Sequence, residues 1–158
     1  MSDDHHGDRP LAVRTRLLIV DDDPLICAMI SSLADRHGYA TRNAHTALEM
    51  AHEMERQNVD CIFLDIDLPD GNGLELLQKL RQHSDIPVIM ITGSHSKDMR
   101  IEALELGADD YVTKPLNPRE LMARLANILR RVHGASSRPV PISNNPTAIN
   151  EAINVAHS

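Results

Sequence analysis

Residues 17–24 read LLIVDDDP and residues 61–67 read CIFLDID, and these two stretches decide the fold. Each is a short apolar run that ends in carboxylates. An apolar run without alternation is buried on both faces, the mark of a strand inside a parallel sheet covered by helices. Asp23-Pro24 has the form of a helix N-cap followed by proline at the first helical position. Ile26, Met29, Ile30 and Leu33 then recur at i, i+3, i+4 and i+7, which predicts a helix face, and Gly38 is placed to end that helix.

Outward from these stretches the pattern repeats. Residues 39–43 form a weaker, polar-leaning strand suited to a sheet edge, and Ala44, Ala47, Leu48 and Ala51 carry helical spacing. Leu74, Leu77 and Leu80 mark the helix after the 61–64 strand. Residues 88–91, VIMI, form another apolar strand introduced by Pro87, and a weakly apolar helix is expected over 98–106. Tyr111-Val112 is a short strand. Asn117-Pro118-Arg119-Glu120 has the form of a capping box and opens a helix with Leu121, Leu125, Ile128, Leu129 and Val132 on one side. Five strand–helix units predict an α/β fold, a flavodoxin-like (βα)5 doubly wound arrangement. Its five-stranded parallel sheet has the order 2-1-3-4-5 with helices on both faces. Residues 1–15 are read as a flexible leader, 16–133 as the folded domain, and 134–158 as a linker or tail. Within that tail, 146–157 can form a short helix through Ile149 and Ile153.

Composition narrows the function classes. The chain has 158 residues, 42% hydrophobic and 25% charged, with a net charge of -7. That acidic balance argues against direct nucleic-acid binding by this chain, and three aromatics (Tyr39, Phe63, Tyr111) make no stacking platform. No apolar run reaches membrane-spanning length, and residues 1–16 contain no apolar signal core, so a cytoplasmic location is expected. Cys27 and Cys61 form no CxxC pattern and read as small buried thiols. The His5-His6 pair reads as solvated rather than metal-binding.

The sheet order gives the carboxylates their meaning. In an open parallel sheet, ligands bind beyond the carboxyl ends of the strands where the order reverses, here between the first and third strands. Asp21, Asp22 and Asp23 follow one of these strands, and Asp65 and Asp67 close the other. Asp23 is read mainly as the helix cap. Converging carboxylates repel one another unless a cation lies among them, and a hard divalent ion such as Mg2+ suits an all-oxygen set. Thr92 ends the fourth strand and Lys114 the fifth, so a hydroxyl and an ammonium reach the same crevice. That set suits forming and holding a phosphoryl group on a carboxylate.

LLIVDDDP (17–24), LDIDLPDGNGL (64–74), Ile91-Thr92-Gly93 and GADDYVTKPL (107–116) together resemble the receiver domain of bacterial two-component response regulators. The resemblance runs from about residue 16 to 132. It implies that Asp65 is the phosphoacceptor, phosphorylated by a sensor histidine kinase with Mg2+. It further implies metal ligation by Asp22 directly, by Asp21 mainly through water, by Asp65, and by the backbone carbonyl of Asp67. Thr92 is implied as the switch hydroxyl, Lys114 as the phosphate-binding lysine and Tyr111 as the aromatic that reorients. A cis peptide is implied between Lys114 and Pro115. Leu116 stands where the family often has phenylalanine. Asp67 and Ser94 flank the path of the hydrolytic water and are expected to tune acyl-phosphate lifetime.

A finer resemblance is to the OmpR/PhoB-type winged-helix transcriptional regulators. It implies a phosphorylation-dependent homodimer through the fourth helix, fifth strand and fifth helix, with Arg100, Asp109, Asp110, Glu120 and Arg124 pairing across a two-fold axis. No winged helix is read within these 158 residues. The expectation is therefore a receiver whose effector domain controls transcription, with a stand-alone receiver acting by protein–protein contact as the alternative. Residues 63–67, FLDID, also resemble the DxD nucleophile motif of haloacid-dehalogenase-type phosphatases. The mid-chain position of the motif and the lack of a cap insertion weigh against that enzyme, so the chain reads as a signalling domain that assists its own phosphorylation and dephosphorylation.

Overall fold

The computed structural model describes residues 14–56 and 58–134. Five strands, β1 (Arg16–Val20), β2 (Ala40–Ala44), β3 (Cys61–Asp65), β4 (Val88–Thr92) and β5 (Asp110–Thr113), form one sheet in the order β2-β1-β3-β4-β5. Every pairing in that sheet is parallel. Five helices alternate with the strands: α1 (Pro24–Arg36), α2 (Ala47–Arg56), α3 (Gly73–Arg81), α4 (Lys97–Glu105) and α5 (Pro118–Gly134). The expected fold class and strand order are those observed.

Side chains alternate along each strand, so one sheet builds two cores. Leu17, Ile19, Cys61, Phe63, Ile89, Ile91 and Val112 pack under α1 and α5. Leu18, Val20, Ile62, Leu64, Val88, Met90 and Tyr111 pack under α2, α3 and α4. Both faces are covered, which is why β3 and β4 are buried at every residue.

Several local expectations shift. On α1 the buried residues are Cys27, Ile30, Leu33 and Ala34, with Ile26 and Met29 only partly covered, so the inward face is rotated from the one the apolar spacing picks out. Cys27 fits there because a thiol behaves as a small apolar group. Asp23 caps α1 by accepting from Leu25 N at 2.9 Å, and Gly38 follows the helix with φ +86°. Ala44 closes β2 rather than opening a helix, and Leu48 of α2 is 47% exposed. A two-residue antiparallel ribbon, Asp67–Leu68 with Gly71–Asn72, lies between β3 and α3 and has no counterpart in the sequence reading. Arg14 and Thr15, read as the end of the leader, are held against the domain. Arg14 Nη2 donates to Tyr39 O at 2.9 Å, and Thr15 O accepts from Ala40 N at 2.8 Å. The rest of the expected leader, His5-His6, and the linker and short helix after residue 134 lie outside the described residues. No helix among the described residues is long and apolar enough to cross a membrane.

Candidate phosphoacceptor site

The carboxyl ends of β1 and β3 are neighbours in the sheet, paired as Val20 with Leu64. One step further along each strand stand Asp21 and Asp65, both buried, with Asp22 exposed beside them. Asp21, Asp22 and Asp65 each offer a carboxylate oxygen, and these oxygens lie within 4.8 Å of one another. Lys114 Nζ bridges the two buried acids, 2.8 Å from Asp21 Oδ2 and 3.2 Å from Asp65 Oδ2. Lys114 is placed by its own N–H, which donates to Thr92 O at 2.8 Å, and by a cis peptide to Pro115, as the family resemblance implied.

One ammonium does not balance this cluster. Burial, and then the charge of Asp21, push the Asp65 carboxyl up to about 6, with Lys114 pulling the other way. Burial alone would lower the Lys114 ammonium, but its contacts with Asp21 and Asp65 raise it overall. Asp21 Oδ1 accepts from Asp23 N at 2.8 Å, whereas the buried Oδ2 has only the ionic contact with Lys114 and no aligned donor. A hard cation is the partner such a set lacks, and its all-oxygen character fits a small divalent ion.

The remaining predicted residues surround this cluster. The register sets Asp65 against Ile91, so Thr92 stands one step past Asp65 on the neighbouring strand. Thr92 is fully buried, and its Oγ1 accepts from Ser94 N at 3.2 Å. Tyr111 is 5% exposed, and its hydroxyl donates to Ser94 O at 3.2 Å. Asp67 is exposed, and its N–H reaches Asp65 Oδ1 at 3.3 Å. Gly73 allows α3 to start against the end of β3, since a Cβ there would lie 2.3 Å from Asp65 O.

The residues read as a dimer face do not form one set. Arg124 binds both carboxylate oxygens of Asp110, at 3.0 and 2.9 Å, and Glu120 Oε2 at 2.9 Å, all within one chain. Arg100 is exposed and lines a cavity of about 350 Å³ with His95, Lys97, Tyr111, Glu120 and Arg124. Asp109 is committed elsewhere: its Oδ2 accepts from Val88 N at 2.8 Å and pairs with Arg81 at 3.1 Å. Sequence reasoning missed His45, whose Nδ1 lies 3.1 Å from Asp21 O, and Cys27, whose thiol donates to the same oxygen at 3.4 Å. The pairing of Val20 with Ala44 places His45 beside Asp21, so an edge-strand register would have found it.

Known proteins are similar to this chain in sequence and in fold. The family model for the response regulator receiver domain matches residues 17–126. The TorCAD operon transcriptional regulatory protein TorR of Escherichia coli (strain K12) is 43% identical over 116 residues, covering 73% of this chain and 50% of TorR. The transcriptional regulatory protein CpxR of Klebsiella pneumoniae subsp. pneumoniae (strain HS11286) is 39% identical over 140 residues, covering 89% of this chain and 60% of CpxR. The chain thus spans about half the length of the curated relatives it matches. A CheY-like receiver domain from Methanospirillum hungatei JF-1 superposes with a TM-score of 0.71 at 35% identity, over 78% of this chain and 99% of that one. With the acidic cluster, the bridging lysine and these similarities in hand, the chain belongs to the response regulator receiver domain family.

Proposed function

We propose that Asp65 accepts a phosphoryl group from a partner sensor histidine kinase in the cytoplasm, and that the protein acts as a signalling domain rather than as an enzyme on an outside substrate. The observation that carries this reading is the buried Asp65 carboxylate held 3.2 Å from Lys114 inside the Asp21–Asp22–Asp65 cluster. The Asp65 oxygen forms the new O–P bond as the N–P bond to the donor histidine breaks. Lys114 is already within contact distance of that oxygen and offsets charge developing on the phosphoryl group, while the buried Thr92 hydroxyl donates to it. Asp21, Asp22, Asp65 and the backbone carbonyl of Asp67 would hold Mg2+, which when bound neutralises carboxylate and phosphoryl charge together.

The output surface is α4–β5–α5. Tyr111 is already inside, its hydroxyl on the Thr92-side loop, so phosphorylation shifts the population of an existing arrangement. The relatives named as transcriptional regulatory proteins support an effector domain acting on transcription, and a phosphorylation-dependent homodimer through this surface is part of the same reading. Arg100 is the residue of the predicted dimer face that carries no ion pair among the described residues, whereas Arg124 would have to exchange the partners it holds.

The test is acceptance of phosphoryl from acetyl phosphate, followed by intact mass. One phosphoryl adduct is expected with Mg2+, none with a chelator and none on Asp65→Asn. Steady turnover of a generic phosphate ester would favour the phosphatase reading instead.

A further inference from the structure

A carboxylate with no role in the phosphoryl chemistry closes a ring around the acidic cluster. Helix α2 begins with four N–H groups that have no partner inside the helix. Thr46 takes one of them, Glu49 N on its Oγ1 at 3.0 Å, while its carbonyl accepts the first intrahelical bond from Met50 N at 3.0 Å. Two more go to Asp70, which is 23 residues from Ala47: Ala47 N donates to Asp70 Oδ1 at 2.7 Å and Leu48 N to Asp70 Oδ2 at 3.1 Å. A side chain from a distant loop thus completes the cap, and its negative charge is favoured at a helix N-terminus.

Each end of this clamp leads to a different acidic residue of the cluster. On the α2 side, His45 directly precedes the cap and places its ring 3.1 Å from the backbone carbonyl oxygen of Asp21, while Asp21 N donates to Ala44 O at 3.0 Å. On the other side, Asp70 sits at the tip of the ribbon that starts at Asp67. Asp67 N binds Asp65 Oδ1 at 3.3 Å, and the base of the loop is closed by Gly73 N on Ile66 O at 2.7 Å. The loop after β3 is therefore tied to the end of β1 through one side chain, in addition to the sheet beneath.

We propose that Asp70 is a positioning residue for the cation site: by clamping the loop after Asp65 to the N-terminus of α2, it fixes the spacing between Asp65 and the carboxylates that follow β1. The proposal rests on the cation site described above. A residue that holds ligands at their working separation affects metal affinity without touching the metal.

The experiment is Mg2+ titration of the whole chain by NMR amide shifts and calorimetry, at an ionic strength high enough to screen the loss of a remote charge. Asp70→Ala should weaken Mg2+ binding about tenfold, and Asp70→Asn, which keeps one acceptor of the two, about threefold. Thr46→Ala removes the local cap of the same helix; it should lower thermal stability and leave Mg2+ affinity unchanged. Unchanged affinity in a folded Asp70→Ala protein overturns the proposal, as does an equal loss in Thr46→Ala. If the Ala variant does not fold, the Asn variant decides in the same way. A wild-type chain that binds no Mg2+ would remove the cation site itself, a result distinct from wild-type binding with an indifferent Asp70.

Discussion

The acidic end of the sheet and the α4–β5–α5 face hold their charges in opposite ways. At the acidic end, two buried carboxylates share a single ammonium and an exposed third lies beside them, with Asp65 pushed up to about 6. On the other face, Arg124 is matched by Asp110 and Glu120, and the groups are partly exposed. Packing differs in the same sense. Strands β1 and β3 are sealed on both sides, while α4 buries only Ala103 and exposes Ile101 and Leu104. The first region is rigid and electrostatically unbalanced, so adding a cation or a phosphoryl group changes its energy greatly. The second is balanced and thinly packed, so it can move at small cost. A switch needs both properties, in contact through Thr92, Ser94 and Tyr111.

The largest effect expected concerns the unbalanced end. Asp65→Asn should abolish phosphoryl acceptance and leave the fold intact, as read by intact mass and circular dichroism; an adduct of equal yield on the Asn variant would break the assignment. Next comes Lys114→Ala, which leaves Asp21 and Asp65 buried without their cation. Removing one partner of a buried pair costs about 3–5 kcal/mol, and the partial exposure of Lys114 brings the expectation down to about 2–3 kcal/mol in urea unfolding without divalent ions. Addition of Mg2+ should restore part of that loss.

A pH series sharpens the comparison. The folded-state value for Asp65, about 6, lies above its ordinary 3.8, so its contribution to stability is fully present below 3.8 and is lost as pH rises through 6. Asp65→Asn removes that loss. In ion-free buffer the variant should be more stable than the wild type at pH 7.5, by up to about 3 kcal/mol, and no more stable at pH 3.5. A gain independent of pH would place its origin elsewhere. The smallest effect belongs to the balanced face. Arg100→Glu should leave stability within about 0.5 kcal/mol. It should also weaken self-association of the beryllofluoride-treated chain in analytical ultracentrifugation, with partial recovery in the Arg100→Glu, Glu120→Arg double variant.

How legible each region was follows from its physics. Buried parallel strands leave unbroken apolar runs, so β1, β3 and β4 and the residues at their ends could be read directly, and with them Asp21, Asp65 and Thr92, while Lys114 was reached through the shorter β5. The edge strand β2 carries a mixed pattern, which hid its register and so the approach of His45 to Asp21. Asp70 escaped notice because its partners are backbone N–H groups 22 and 23 residues away, and side-chain identity does not announce such contacts. Charged surface residues were the least legible. Asp109 and Arg124 have the types a pairing face requires, yet sequence could not say that Arg81 and Asp110 hold them within the chain.

The central claim is that a charge change at Asp65 is read out on the thinly packed side of the molecule. Hydrogen exchange followed by mass spectrometry, on the chain with and without beryllofluoride and Mg2+, tests it directly. The account predicts slowed exchange at residues 65–67 and 92–94, where the added group is held, together with altered exchange across α4 and β5 and little change in α1. Exchange that changes only at the ends of β1 and β3, with α4 and β5 unaltered while the site is occupied, would contradict it.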